Sequence, residues 1–319
     1  MGAARFMLAF TIAATVQIGV FGSFHPAQLE VWPSEGTTLV VETLGRTETL
    51  SAGRTLRLTS SARVGGHNSA FAKFHIRIPD LPGTVRMERE LYGRLVVRER
   101  AGRLIPVVEM DRETAVASIV QAEGAPGIPL EARKAQAIAT RSYLAAAHGR
   151  HVGFDFCDNE HCQLLRNVPA PRSAASLATE ATRGQVLTFH GNVFAALYSA
   201  NCGGHTRTLS QAGWQSASST TGEYTFPSVS CPLNDKKASG HGVGLCQRGA
   251  IEIARRGISS TVILRHFFPD TAIETLPAGQ QIASNSSKKT TAPQVIKPVS
   301  NPAIQVALVN AGKDVPAVR

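Results

Sequence analysis

Hydrophobic residues change their spacing along the chain, from short alternating runs in the first third to helical spacing further on. Between Gln28 and Met110, β-branched runs at residues 29–31, 38–41 and 95–97 are separated by glycine, proline and serine. Such runs between turn-forming residues predict β-strands. Strands followed by helices and hairpins are typical of an α+β fold with antiparallel strands, and they argue against a doubly wound sheet.

Two helices are predicted directly after these strands. Asp111 suits the N-cap of the first helix, which ends at Gly124. Pro129 is favoured in the first turn of the second, an alanine-rich helix that reaches about residue 147. Lys134 and Arg141 lie seven residues apart on this helix, almost two turns, so we expect both on one face, roughly 10 Å apart.

A third helix and a hairpin follow. Residues 173–182 predict the helix, and strands at 185–189 and 193–199 are joined by a hairpin-forming turn at 190–192. Residues 276–319 are rich in serine, asparagine, lysine, threonine and proline without any periodicity. This composition predicts a disordered tail.

The chain begins with an apolar run of about 16 residues, 6–21, after Arg5. The run is longer than many signal-peptide cores and shorter than the roughly 20 residues of a membrane-spanning helix, so it predicts a cleaved signal peptide or a signal anchor. A buried N-terminal helix is the alternative, which the lack of a polar face disfavours. The predicted organisation is an export segment at 1–25, a β-rich region at 26–91, a second domain at 92–275 and the tail. We therefore expect an exported protein, either periplasmic, wall-associated or membrane-anchored, that meets the membrane only through its N-terminal segment.

Composition and charge narrow the kind of partner. With 319 residues, of which 43% are hydrophobic, the chain can bury a substantial core, which excludes a disordered or fibrous protein. A formal net charge of +10 favours an anionic partner such as nucleic acid, phospholipid or an acidic wall polymer. Export makes nucleic acid the weakest of the three. Because the basic residues are scattered, a merely solvated basic surface is the alternative.

Glu123 closes the first predicted helix, immediately before Gly124 and close to Pro126. A carboxyl group at the end of an apolar segment is partly desolvated and lies near the negative end of the helix dipole, and both effects favour its protonated form. A general acid at neutral pH needs this bias. The alternative is an ordinary exposed acid at a helix end.

A glycine-rich turn at residues 239–247 interleaves three glycines with His241, Cys246 and Gln247. Glycines allow backbone amides to approach a ligand, and His241 and Gln247 offer hydrogen-bonding side chains. The spacing does not fit a dinucleotide-binding turn. A ligand-binding turn and a purely structural one both remain open.

A second glycine-rich turn, residues 199–205, contains Cys202. Cys202 as a nucleophile beside a histidine, His205 or His241, is one interpretation. A disulfide with Cys231 or Cys246 is the other, and it is the more common role for cysteine in an exported protein. The chain has five cysteines, so at least one is free, metal-bound or paired with another chain.

Two cysteines and two histidines lie close together at His151, Cys157, His161 and Cys162. Two sulfur and two imidazole ligands suit tetrahedral zinc, although adjacent ligands such as His161 and Cys162 are unusual for a zinc finger. A Cys157–Cys162 disulfide is the alternative.

Taken together and in their order along the chain, these stretches resemble the domain shared by stage II sporulation protein D (SpoIID) and the amidase enhancer LytB. The resemblance extends from about Tyr92 to Ile273. It rests on residues 123–126, 130–143, 157–163, 198–204, 240–244, 247–250 and 266–269.

The resemblance implies a lytic transglycosylase that cuts peptidoglycan glycan strands between N-acetylmuramic acid and N-acetylglucosamine. Glu123 would protonate the glycosidic oxygen and then help the muramoyl 6-hydroxyl close a 1,6-anhydro ring, which removes the need for the second carboxylate of ordinary glycosidases. The groove would be lined by Lys134, Arg141, Ser199, His241 and Gln247. Zinc would be held by His151, Cys157, His161 and Cys162, as in some family members.

Two other functions compete with this one. The resemblance to LytB suggests a non-catalytic wall-binding protein that stimulates a peptidoglycan amidase, and the cysteines and histidines suggest a thiol- or zinc-dependent hydrolase. The sequence also departs from the family. Gly124 stands where a methionine is usual, Asn201-Cys202 replaces a serine-rich turn, and Cys246 stands where serine is common, so a disulfide of Cys202 with Cys246 or Cys231 is one outcome of these changes.

Overall fold

The structure is a computed structural model that describes residues 15–43, 46–60, 66–68, 71–79, 87–147, 151–214, 223–233 and 237–276. These residues form the predicted α+β fold, with helices beside a large, mostly antiparallel sheet. The strands of the first part are β1 (Thr15–Gly19), β2 (Gln28–Pro33), β3 (Leu39–Thr43), β4 (Arg46–Leu50), β5 (Leu56–Thr59), β6 (Gly66–Asn68), β7 (Ala72–Arg77), β8 (Glu88–Arg100) and β9 (Arg103–Asp111). They are followed by α1 (Arg112–Ala122), α2 (Leu130–Ala146), β10 (Phe156–Cys157), α3 (Ala174–Ala181), β11 (Gln185–Phe189), β12 (Asn192–Val193), β13 (Tyr198–Ser199), β14 (Leu245–Cys246), α4 (Gln247–Arg255), α5 (Ser260–Phe267) and β15 (Ala272–Thr275).

The long hairpin of β8 and β9 is the centre of the sheet. The two strands pair from Arg94 opposite Glu109 to Arg100 opposite Arg103. Their turn places Ala101 and Gly102 at φ of 52° and 76°, the left-handed conformations that match the twist of a two-residue hairpin. Alternate residues of β8 are buried, as expected for a strand with one face on a core. Since β8 also pairs with β7 and β6, it joins both branches of the sheet.

The second half of the predicted export segment is a strand of this sheet. Strand β1 pairs antiparallel with β9 and parallel with β10, and Val16 and Ile18 belong to the core. The predicted boundary at residue 25 is therefore wrong, because the folded domain already includes Thr15. The sequence signal was the alternation of Thr15 and Gln17 with apolar residues, which is a strand pattern. Residues 1–14 lie outside the described part of the chain. Among the described residues, no helix is long and apolar enough to cross a membrane.

The predicted division at residues 91 and 92 also needs correction. It falls inside β8, and Leu91 and Leu95 on either side of it belong to the same hydrophobic core. All described residues fall in one compact unit. Of the predicted tail at 276–319, only Leu276 lies within the described residues.

The predicted helices are confirmed to within a few residues. The Asp111 carboxylate caps α1 by accepting a 3.1 Å hydrogen bond from the Thr114 backbone N–H, and Ser173 caps α3. Pro129 lies one position before α2, at its N-cap. The small side chains of α2 allow the other helices to approach closely, and α1, α3, α4 and α5 all pack around it.

The predicted hairpin is only partly correct. Strands β11 and β12 pair antiparallel across a turn at His190 and Gly191, but β12 ends at Val193. Further on, Tyr198 and Ser199 pair in parallel with β14, which is distant in sequence. This pairing brings the two glycine-rich turns together beside the N-terminus of α4.

Arg141 is the buried charge at the centre of the helices. Its side chain is 0% exposed and makes two hydrogen bonds of 2.8 and 2.7 Å to the Glu113 carboxylate on α1. It also donates to the Gln185 carbonyl at the start of β11. The prediction that Arg141 lines a substrate groove is therefore wrong, because the guanidinium is fully used in holding α1, α2 and β11 together.

Replacing Arg141 with methionine should lower the free energy of unfolding by about 3 kcal/mol or more, because Glu113 would keep a partly buried charge without its partner. The matched control is Arg183→Met. Arg183 pairs with Glu180 at the surface, where the two side chains are 58% and 65% exposed, so its loss should cost less than about 1 kcal/mol. Urea denaturation of both variants measures the difference, and equally small losses would contradict the assigned role of Arg141.

Candidate active site

Glu123 lies directly after α1, as its C-cap residue, and faces a pocket between α1, α2 and α4. Most of the lining is apolar, and Glu123 is the only acidic residue among the described residues that form it. The other lining residues are Val120, Gly124, Ala125, Ile128, Ala132, Arg133, Gln136, Ala200, Gln247, Arg248, Ala250 and Ile251. The pocket therefore combines one carboxyl group, amides and guanidinium groups on an apolar floor.

Each carboxylate oxygen of Glu123 accepts a hydrogen bond from a different part of the chain. Oε1 accepts from the Leu164 backbone N–H at 3.1 Å, and Oε2 lies 3.5 Å from Nε2 of Gln247. The same Gln247 nitrogen is 3.5 Å from Oε1 of Gln136 on α2. The carboxyl group is thus oriented from two sides, by a loop and by the first residue of α4.

Burial raises the pKa of the Glu123 carboxyl above its ordinary value, and repulsion from the exposed Glu160 adds to this effect. The hydrogen bonds from Leu164 and Gln247 and the charge of Arg166 act in the opposite direction but do not cancel it. A carboxyl group with a raised pKa holds its proton at a higher pH than usual and can donate it to a leaving group. The local setting is the one predicted for a general acid.

The position of Arg133 explains why residue 124 is a glycine. A Cβ atom on Gly124 would lie 2.4 Å from Nη1 of Arg133 and 2.8 Å from the Val120 carbonyl oxygen. Arg133 is buried and donates to the Ala125 carbonyl at 2.7 Å. The guanidinium therefore occupies the space that a side chain at position 124 would need, where the family resemblance leads us to expect a methionine. It also holds the turn between α1 and α2.

The structure brings only one of the predicted groove residues, Gln247, into contact with Glu123. Lys134 is outside the pocket lining and pairs with Glu131 one turn earlier, at 2.6 Å. Ser199 is buried in β13 and is not part of the lining either. These two predictions are not supported by the pocket geometry.

His241 also lies outside the lining. Its Nδ1 accepts a hydrogen bond from the Val243 N–H at 3.0 Å, and its ring lies 5.0 Å from that of Trp214. Burial lowers the pKa of His241 to about 4, so the imidazole is neutral at neutral pH. These contacts fit a turn-stabilising histidine.

Arg133, Gln136 and Arg248 were missed as pocket residues. On α2, positions 132, 133 and 136 share the face that meets Glu123, whereas Lys134 lies about 100° further round the helix. The spacing of Ala132 and Gln136 shows that they share a face of α2, but it does not show that this face meets Glu123. Arg248 lies next to Gln247 and was overlooked because only the Gly-His-Gly turn before it was considered.

The predicted zinc ligands converge in space. The ligand atoms of His151, Cys157, His161 and Cys162 all lie within 4.8 Å of one another. His151 Nε2 is 3.1 Å from Cys162 Sγ, and His161 Nδ1 is 3.5 and 3.6 Å from the sulfurs of Cys157 and Cys162. Zinc–sulfur and zinc–nitrogen bonds of about 2.3 and 2.0 Å in a tetrahedron give sulfur–nitrogen edges of about 3.5 Å. The four residues therefore fit a zinc ion, and a disulfide alone would not explain the two imidazoles.

This loop also leads directly to the candidate acid. Cys162 is followed after one residue by Leu164, whose N–H binds Glu123. The loop is fixed to β1 and to the residues just after it. Asp155 accepts a hydrogen bond from the Gln17 N–H in β1, and Asp158 accepts one from the Phe21 N–H. Strand β1 and the Cys/His loop together set the position of one donor to Glu123.

The fold and the pocket define an α+β domain in which Glu123 is the only acidic residue of the described pocket lining. Residues 100–189 match the SpoIID family, described as "Stage II sporulation protein". The matched segment contains Glu123, α2 and the Cys/His loop. The family is related to proteins that act on peptidoglycan. Both glycine-rich turns, including Gln247, lie beyond the matched segment.

A protein of Brachyspira hyodysenteriae, described as uncharacterized, is 31% identical over 120 residues. The aligned part is 37% of this chain and 33% of that protein, so the chain spans about a third of the length of this relative.

Replacing Glu123 with glutamine should stabilise the protein relative to wild type more at about pH 7 than at about pH 4. The raised pKa means that ionising the carboxyl costs the folded state free energy. This cost is absent below the ordinary glutamate pKa, grows as the pH rises towards the folded-state pKa and is complete above it. Urea denaturation at both pH values measures this change. Glu160→Gln, at an exposed position, should alter stability by less than about 0.5 kcal/mol at either pH. A Glu123→Gln effect that does not depend on pH would contradict the burial argument.

Proposed function

We propose that this protein is an exported lytic transglycosylase that cleaves the bond between N-acetylmuramic acid and N-acetylglucosamine in peptidoglycan. The observation that carries the proposal is the Glu123 carboxyl, which is half-buried, has a raised pKa and is the only acid lining the pocket within the described residues. The match of residues 100–189 to the SpoIID family supports the choice of substrate class.

In the proposed reaction, protonated Glu123 gives its proton to the glycosidic oxygen as the bond to C1 of the muramoyl residue breaks. The resulting carboxylate then takes the proton of the muramoyl 6-hydroxyl while that oxygen bonds to C1. The products are a free 4-hydroxyl on N-acetylglucosamine and a 1,6-anhydro muramoyl end, and the proton is back on Glu123. No water is consumed, so one carboxyl group is sufficient, whereas glycoside hydrolases ordinarily use two.

The polar lining supports the binding of a glycan. Gln136 and Gln247 offer amide donors and acceptors close to Glu123, and Arg133 and Arg248 bring positive charge to the same pocket. Amides suit sugar hydroxyl and acetamide groups, and the cations suit an acidic wall polymer. The net charge of +10 agrees with such a partner.

Zinc is proposed as a structural ion held by His151, Cys157, His161 and Cys162. Four protein ligands leave no open coordination position, so such an ion would supply folding energy and no Lewis-acid chemistry. Its effect on the reaction would be indirect. The ligand loop orients the Leu164 N–H that donates to Glu123.

Glu123→Gln should reduce the release of 1,6-anhydro muropeptides from purified glycan strands by at least about 100-fold, because general acid–base catalysis contributes factors of this size. The digest is analysed by mass spectrometry for products lighter by one water than hydrolysis products. Glu160→Gln is the matched control and should retain activity. Two other results would reject the proposal. In the first, the wild-type products carry an added water and both variants lose activity, which indicates a two-carboxylate hydrolase. In the second, the protein stimulates an amidase without cleaving glycan, and Glu123→Gln leaves this stimulation unchanged.

The double substitution of Cys157 and Cys162 by serine should remove one zinc ion from each chain and lower activity without abolishing it, because the ion positions Leu164 and does not react. Metal content is measured by inorganic mass spectrometry on the purified full-length protein. Glu160→Gln, which lies in the same loop without being a ligand, should retain the ion. Unchanged zinc content in the cysteine variant would show that these residues do not hold it.

A further inference from the structure

Three cysteines from distant parts of the chain meet behind the candidate active site. Cys202 lies in the glycine-rich turn at residues 199–205, Cys246 lies in the one at residues 239–247, and Cys231 lies on the segment between them. Their sulfur atoms all lie within 4.8 Å of one another. Cys202 and Cys246 are buried, and Cys231 is half-buried. They are separate from the Cys/His loop and play no part in the chemistry proposed for Glu123.

The surrounding backbone is arranged around the sulfur of Cys246. This sulfur is 3.3 Å from the Cys202 N–H and 3.4 Å from the Gly249 N–H, both of which donate to it. Two N–H donors on one sulfur favour its thiolate form. Gly249 also leaves room for the third sulfur, since a Cβ atom there would lie 2.4 Å from Sγ of Cys231. The Cys231 N–H is fixed by the Gly204 carbonyl at 2.8 Å.

We propose that Cys202, Cys231 and Cys246 form a second metal site, which binds a thiophilic d10 cation, Zn²⁺ or Cu⁺, through three thiolates. Sulfur-only ligands select soft or borderline cations over Mg²⁺ and Ca²⁺. A disulfide would use two of the three sulfurs and would not explain the convergence of the third. Binding releases the thiol protons to solvent, so no oxidant or reductant is required.

The proposed site would connect two walls of the Glu123 pocket. Ala200, two residues before Cys202, lines the pocket, and so does Gln247, which directly follows Cys246. The Arg248 N–H also donates to the Ala200 carbonyl at 3.2 Å. A cation held by Cys202 and Cys246 would fix the segments that carry Ala200 and Gln247 relative to each other. The site is a positioning element, and it does not depend on the proposed glycan cleavage.

The test uses the full-length protein with Cys157 and Cys162 replaced by serine, which isolates the second cluster. The reduced protein is loaded with Zn²⁺ or Cu⁺ in separate arms and desalted, and the bound metal is measured by inorganic mass spectrometry. We expect one ion per chain, which is lost when Cys231→Ser is added and retained when the adjacent Ser230→Ala is added instead. Competition between the two metals shows which of them the site prefers.

Cys231 is half-buried, so its substitution is the least disruptive of the three, and circular dichroism checks folding. If Cys231→Ser does not fold, Co²⁺ titration of the background protein decides, because thiolate ligands give intense charge-transfer absorption. Absence of a bound ion and of this absorption would overturn the proposal. So would alkylation of the unreduced protein that leaves two of the three cysteines protected until a thiol reductant is added, since this identifies a disulfide. Loss of glycan cleavage in Glu123→Gln bears on neither result.

Discussion

The desolvation of the Glu123 carboxyl is the constraint on which the rest of the site depends. An acid in an apolar pocket is costly when ionised, and here two N–H donors orient it without cancelling the effect of burial. Such a group keeps its position only if the elements around it are rigid. The Arg141–Glu113 ion pair supplies that rigidity. It fixes α1, which is followed directly by Glu123, to α2, which forms the opposite wall.

The Leu164 N–H, which donates to the Glu123 carboxyl, is positioned by contacts between segments that are distant in sequence. Leu164 is placed by the Cys/His loop, and that loop is anchored to β1 through Asp155, Asp158 and the pairing of Ile18 with Phe156. Strand β1 therefore belongs to the structural unit that positions Glu123, although its sequence resembles the end of an export signal. In the proposed exported protein, a cleavage that keeps the site intact would have to come before Thr15, because removal of β1 would release the loop that carries Leu164.

Features set by neighbouring residues were predictable, and those set by distant ones were not. Asp111 was recognisable as a helix cap because capping is a local hydrogen bond. The burial of Arg141 was not visible, since a helix sequence shows which residues share a face but not what that face meets. The pairing of Tyr198 with Leu245 joins segments more than 40 residues apart, and no periodicity encodes it. Arg133 was missed for the same reason, because only the fold shows that it covers Gly124.

The two hydrogen bonds to Glu123 come from residues that adjoin the two cysteine clusters. Leu164 follows Cys162 closely, and Gln247 directly follows Cys246. In the proposed reaction the carboxyl must first hold a proton and then accept one, so its two oxygens need donors that stay in place while the charge changes. Donors fixed by folding do not have to reorganise when the glycan binds, which is the main advantage of a preorganised site. Bound cations at both clusters would fix the two donors independently, so loss of either cluster should loosen one oxygen of Glu123 and leave the other in place.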